Sequence, residues 1–478
     1  MVVHLQKTTY LSTVLLICTV SLASFMASLD GAIVNIILPT ISGIFDISMT
    51  DVSWVLTIYL LVMAGAILIC GKIADTIGFR RIFLIGFSVF TIGSFACGFL
   101  PMITGSYVSL LAGRVIQAAG GAMMMAIGPA ILSTFLPLEK RGKALGVLMT
   151  VCALGTALGP IVGGLLTQYL SWEWIFYINV PVGIAAILLG IVVIPTQNTS
   201  GTDISSFDKY GAALIFLGMA TLLYSLSQGV SAGWTHPVIF GSFALAVIAL
   251  AGFAVRQLRY SEPLFDLRLF KNHQFSLVNL VLVLMVGSYA GTYYLLPFFL
   301  QEVRGLSVSV SGVLLTALPI GMTITGFVSG LLYNRFGGKK LCIAGSLLLI
   351  AGYYPLWHMS AAVAAGYVAA ALFVFGLGVG LMLNPLVTMM LTGVEKNKQG
   401  MVSSLASLEQ SAPVIFSVAI YNAVLVWGIS LAAAGSSGEA IAQGYNTAFF
   451  CSFILAAGIF VLSLFLRPEV HPDHLEMD

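Results

Sequence analysis

Long apolar runs, separated by short polar and basic breaks, repeat along the whole chain. A helix that crosses a membrane needs roughly 20 mostly apolar residues. Fourteen runs meet that need, near 11–39, 52–70, 82–100, 106–134, 143–167, 174–194, 210–228, 237–255, 275–300, 308–332, 341–358, 363–390, 401–430 and 445–466. The loops between them are short, and no water-soluble domain is inserted. The pattern therefore predicts an all-α integral membrane protein with fourteen spans.

The basic residues orient these spans, because Lys and Arg collect on the cytoplasmic side. With the N-terminus inside, every one of the 20 Lys and Arg falls in a cytoplasmic segment except Arg114, inside a span, and Arg304, in an outer loop. Fourteen spans then leave both termini cytoplasmic. A repeat also emerges. "GKIADTIGFRR" (71–81) follows the second run, and a weaker echo, "GLLYNRFGGKK" (330–340), follows the tenth. Equivalent halves of six spans imply a bundle over 1–200 and another over 274–478. Two extra spans and a cytoplasmic linker occupy 201–273. Two such halves around a central site are a transporter architecture.

Composition agrees. The chain is 59% hydrophobic and 8% charged, against about 25% charged in soluble domains, and its mean hydropathy is +1.04. A net charge of +2 is too small to suggest a nucleic-acid partner. The first run is too long for the apolar core of a secretory signal. The six cysteines all lie in apolar runs and read as small packing residues. No phosphate-binding G-x-x-x-x-G-K-[ST] loop occurs, and no His/Cys cluster has metal-ligand spacing; His471, Asp473 and His474 read as a solvated tail. No nucleophile–base constellation points to an enzyme, and no cofactor is expected. Uphill transport without an ATP site must draw on a gradient of ions or substrate.

Three ionisable side chains lie well inside spans: Asp30 in the first, Arg114 in the fourth and Glu409 in the thirteenth. On insertion scales each costs about 2.5–3.5 kcal/mol at a helix centre. An ion pair with Arg114 accounts for one carboxylate and leaves the other in surplus. A desolvated acid without a counter-charge favours its neutral form, which suits a group that exchanges a proton with each side in turn. All three are therefore candidate proton-coupling residues. Around Glu409, Pro413 frees a helical carbonyl, and Ser403, Ser407, Gln410 and Ser417 form a polar stripe that reads as a wet cavity wall. Pro39 likewise frees the carbonyl of Asn35. Arg114, Gln117 and Gly121 share one face of the fourth span by three- and four-residue spacing.

These stretches resemble the major facilitator superfamily, and within it the fourteen-helix drug:proton antiporters. "GKIADTIGFRR" resembles the family's motif A through Gly71, Asp75, Gly78 and Arg80, with Arg81 following. "LAGRVIQAAGGA" (111–122) is similar to motif B, with Arg114, Gln117 and Gly120. "GTALGPIVGG" (155–164) resembles motif C of drug exporters, with Gly155, Gly159, Pro160, Gly163 and Gly164. "LDGAIVNIILP" (29–39) and "WEWIFYINVPVG" (172–183) resemble further stretches of the antiporter branch.

The resemblance implies a major facilitator fold in the cell membrane, with Asp75 and Arg80 latching the cytoplasmic side and the motif C glycines packing the fifth span against the second half. It implies proton-driven, alternating-access export of amphipathic, often cationic compounds. Met26, Asn35, Trp54, Tyr59, Gln117, Met123 and Tyr294 are candidate cavity residues, since Met and aromatic side chains adapt to varied ligands. Partners are then a drug-like small molecule, protons and the bilayer, and an accessory export protein is compatible with this reading. Export of one dedicated metabolite, antibiotic or lipid is the alternative; a non-transporting sensor has no need of motifs A and C. The chain departs from the pattern at Asn334, where the second copy of motif A has no acid, at the tenth span, which lacks an acid that some members carry there, and at Glu173, where relatives often have Arg.

Overall fold

The computed structural model describes residues 10–196, 208–260, 266–360, 363–394, 399–432 and 437–467. Every regular element among them is helical. That follows from the apolar sequence, because in hydrocarbon each backbone N–H and C=O needs an internal partner, which a helix supplies within one segment.

The chain divides into two compact units, Met1–Asp46 with Trp54–Phe207, and Ile47–Ser53 with Asp208–Asp478. The first holds α1 (Tyr10–Phe45), α3 (Trp54–Ile77), α4 (Phe79–Thr104), α5 (Tyr107–Phe135), α6 (Leu138–Tyr169), α7 (Trp174–Tyr177) and α8 (Asn179–Val193). In it α4 packs along α5 and α1 along α6, while α3 lies on α5 and α8 on α4. The second unit holds α2 (Met49–Val52), α9 (Lys209–Ala232), α10 (Pro237–Arg259), α11 (His273–Phe298), α12 (Val308–Leu315), α13 (Ala317–Trp357), α14 (Ala365–Thr392), α15 (Gln399–Leu431) and α16 (Ser437–Leu464). Here α9 pairs with α10 and also packs on α15, so the two extra helices belong to this unit. Asp208 staples that pair. Its fully buried carboxylate caps α9 at the Gly211 N–H and accepts bonds from Arg256 and Gln257 of α10.

Among the described residues, thirteen helical stretches are long and apolar enough to cross a membrane. The difference from fourteen lies at one place. The tenth and eleventh runs form a single stretch, Val308–Trp357, of 50 residues. At 1.5 Å per residue its helical path adds up to roughly 75 Å, over twice a bilayer's hydrocarbon core. Within α13 the one internal departure from helical geometry is Gly337 (φ 74°, ψ 159°).

Gly337 has a counterpart in the first unit. Gly78, at the matching place in "GKIADTIGFRR", adopts φ 96°, ψ 143° between α3 and α4. Both angles lie where side chains other than glycine's are strained. The glycines eight and fifteen residues beyond each one press their helix onto the next: Gly86 and Gly93 of α4 onto α5, and Gly345 and Gly352 of α13 onto α14. The weak sequence echo is thus matched in backbone conformation and packing.

Candidate functional site

Asp30 and Arg114 meet inside the first unit. Arg114 Nη1 lies 2.7 Å from Asp30 Oδ2, and both side chains are 0% exposed. The same Nη1 donates to Gln117 Oε1 at 2.6 Å, and Nε donates to the Val55 carbonyl of α3 at 3.0 Å. The guanidinium lies 4.1 Å from the Tyr59 ring centroid and 5.8 Å from that of Phe176, so aromatic faces add cation–π attraction to the ion pair. Gln117 Nε2, one turn along α5, donates to Asp30 Oδ1 at 2.8 Å and to Ser94 Oγ at 2.8 Å. Asn179 Nδ2 donates to the same Oδ1 at 3.1 Å and to Ser94 Oγ at 3.4 Å. Three donors therefore converge on one carboxylate. Among the described residues, Arg114 Nη2 and the Tyr59 hydroxyl in this buried cluster have no hydrogen-bond partner.

Close helix contact makes the cluster. Gly93 of α4 lies against the Gln117 backbone, and Gly113 of α5 against Cys97. A side chain at either would push α4 away and separate Ser94 from Gln117. On the other flank α6 presses against α1. A Cβ at Gly155 would meet the Phe25 carbonyl at 2.7 Å, one at Gly159 the Ala32 Cβ at 2.6 Å, and one at Gly163 the Ile36 side chain at 2.7 Å. Within the first unit, the motif C glycines pack the fifth span onto the first span, bracketing Asp30. Pro160 and Gly164 are buried in the same helix.

Glu409 sits on α15 in the second unit. It is 8% exposed, and its Oε2 has no hydrogen-bond partner among the described residues. The expected wet stripe is only partly seen. Gln410 Nε2 and Ser417 Oγ donate to carbonyls of their own helix, those of Ala406 and Val414, while the side chains of Ser403 and Ser407 lie outside the described residues. The helix continues through Pro413.

The remaining expected residues are scattered. Met26 and Tyr59 are buried in the hydrophobic core of the first unit, with Met123 packed against it. Asn35 is buried and Trp54 half-buried. Tyr294 is in the second unit, where its hydroxyl donates to the Met49 carbonyl at 3.1 Å and accepts from Asn422. In motif A, Arg81 is exposed, and the half-buried Arg80 donates to the Ile191 carbonyl of α8. The side-chain positions of Gly71 and Asp75 lie outside the described residues, as do Lys7, Lys396, Lys398, His471, Asp473 and His474.

Two groups were not anticipated. Asn179 and Ser94 complete the Asp30 cluster, although Asn179 stands in the quoted "INVPVG". In the second unit a buried hydroxyl network joins four helices: Ser288 to Tyr353 at 2.7 Å, Thr292 to Ser452 at 2.8 Å, and Tyr421 to Ser452 at 2.7 Å. Hydroxyls carry no charge and blend into apolar runs, so nothing in the local sequence marks them.

A family model for the Major Facilitator Superfamily matches residues 20–417. The chain belongs to that superfamily; it is a multi-pass membrane transporter and not an enzyme. It is 31% identical over 376 residues to the riboflavin transporter RibZ of Clostridioides difficile (strain 630), covering 79% of this chain and 80% of the relative. It is 31% identical over 412 residues to the multidrug transporter protein MdtP of Bacillus subtilis (strain 168), covering 86% and 75%. To the tetracenomycin C resistance and export protein of Streptomyces glaucescens it is 35% identical over 364 residues, covering 76% and 66%. Among solved structures, a D-xylose–proton symporter superimposes with a TM-score of 0.65 over 96% of this chain and 97% of that one, at 12% identity, which speaks to fold alone.

Proposed function

We propose that the protein is a proton-coupled efflux transporter that exports amphipathic, often cationic compounds by alternating-access antiport. The observation that carries this reading is the unequal state of the two intramembrane acids. Asp30 has taken Arg114, the only base inside a span by the sequence reading, and Glu409 is buried without a partner among the described residues. A buried carboxylate without a counter-charge gains from a bound proton. Glu409 is therefore the acid assigned to proton exchange, and Asp30 the fixed anion that retains Arg114. Proton entry at Glu409 from outside weakens binding of a cation, the cation leaves, and loss of the proton inside restores the site. The multidrug and resistance proteins among the relatives support a drug-like substrate.

The same proposal includes fourteen spans, since Val308–Trp357 is long enough for two crossings with the turn at Gly337. It places both termini in the cytoplasm, as the basic residues require. The division into bundles 1–200 and 274–478 with extra helices over 201–273, and the motif A and C residues as elements of the transport cycle, belong to it as well. Export of a single metabolite is the second reading, favoured by the similarity to a riboflavin transporter.

The test is efflux of a panel of cationic dyes from loaded proteoliposomes under an imposed pH gradient. Export that follows the gradient supports antiport, and export indifferent to it defeats antiport. Transport of riboflavin with no dye efflux would favour the second reading.

A further inference from the structure

We propose that Asn179 is a positioning residue for Asp30: its side-chain amide is the third donor that holds the buried carboxylate as an anion. This rests on the antiport reading above and deepens it, because the two acids can do different work only if Asp30 keeps its charge while Glu409 exchanges a proton.

The donors to Asp30 are not equivalent. Arg114 Nη1 is shared between Asp30 Oδ2 and Gln117 Oε1, and Gln117 Nε2 between Asp30 Oδ1 and Ser94 Oγ. Both come from α5 and move together. Asn179 is the first residue of α8 and approaches from a different element. That helix is held to α4 where Gly183 meets Thr91 and Gly190 meets the Phe83 ring, so the amide is delivered by rigid packing.

Among the described residues, the charged and titratable groups facing Asp30 are Arg114 from α5, Tyr59 from α3 and Cys97 from α4. On the flank of α1 beside Asp30, α6 contributes Gly155 and Gly159. Tyr177 of α7 is turned towards Gly98 and the rings of Phe95 and Trp174. No second base reinforces Arg114 among these. The neutral donors then decide how firmly the anion is held, since hydrogen bonds to a charged group are the stronger kind. An amide does not titrate, so its contribution is constant with pH.

The experiment is infrared difference spectroscopy of the full chain in lipid at one fixed pH. It follows the carboxylate stretching bands assigned to Asp30 by their loss in Asp30→Asn. Those bands should shift in Asn179→Ala, because a hydrogen bond to a charged group is lost. They should be missing from the Asp30→Asn/Asn179→Ala double variant, and Asn179→Gln should return them towards the wild-type position. Asn179→Leu keeps the side-chain shape without the donor and replaces Asn179→Ala if the smaller residue does not fold. A donor-free variant whose Asp30 bands stay at the wild-type position overturns the proposal, and so does a wild-type protein with no Asp30 carboxylate bands. Dye efflux tests antiport separately, and its failure leaves the infrared comparison intact.

Discussion

Arg114 and Asp30, 84 positions apart in sequence, form a 2.7 Å ion pair that is fully buried. Taking two charges out of water is costly, and the pair persists only because each is compensated by the other and by fixed donors and acceptors. Removing one member strands its partner. Arg114→Ala should destabilise the protein by about 3–5 kcal/mol, and Arg114→Ala/Asp30→Asn should recover part of that loss. Thermal unfolding of the purified variants checks both, and a double variant no better than the single one would contradict the pairing energetics.

Glu409 predicts the opposite stability pattern. Its Oε2 bonds to nothing among the described residues, so Glu409→Gln gives up no hydrogen bond at that atom and leaves a neutral group of similar shape. The midpoint of thermal unfolding should hold or rise, and dye efflux should lose its dependence on the pH gradient. A fall in stability as large as that expected for Arg114→Ala would sink the contrast between the two acids.

The contact between α6 and α1 leaves no room at Gly159, where an added Cβ falls 2.6 Å from that of Ala32. Gly31, on the same α1, has nothing within 4 Å of an added Cβ. Gly159→Leu should therefore lower both folded yield and transport. Gly31→Ala should leave transport intact and help the helix by about 0.5–1 kcal/mol. Yield, efflux and thermal stability measured side by side separate the two outcomes.

Gly78 and Gly337 share a left-handed backbone at matching points of the two halves. An alanine at either should cost about 1–3 kcal/mol from strain alone. The losses should be similar at the two sites, as thermal unfolding of Gly78→Ala and Gly337→Ala can show. A marked loss at only one would mean that the halves are not equivalent there.

Much of this was legible locally. Asp30, Arg114 and Glu409 stand out because a charge within a long apolar run is costly wherever the chain folds, and the structure buries all three side chains. Gly155, Gly159 and Gly163 read as a packing face from their spacing, and the structure gives that face α1 as a neighbour, because helical spacing defines a face and not the helix opposite. Asn179 does not stand out within "WEWIFYINVPVG". A neutral amide is inexpensive at any exposed position, and only its approach to a residue 149 positions away makes it consequential.

By itself the sequence determined that the chain crosses the membrane many times, which residues resist burial and where the two halves echo each other. These are properties of contiguous residues, governed by transfer into hydrocarbon and by helical period. Only the tertiary structure decided that Arg114 serves Asp30 and that Gln117 and Asn179 join it there. That choice depends on the close approach of α1, α5, α4 and α8, made by glycines with no side chain to keep the helices apart, and hydrogen bonds over about 3 Å respond to such distances and not to hydropathy.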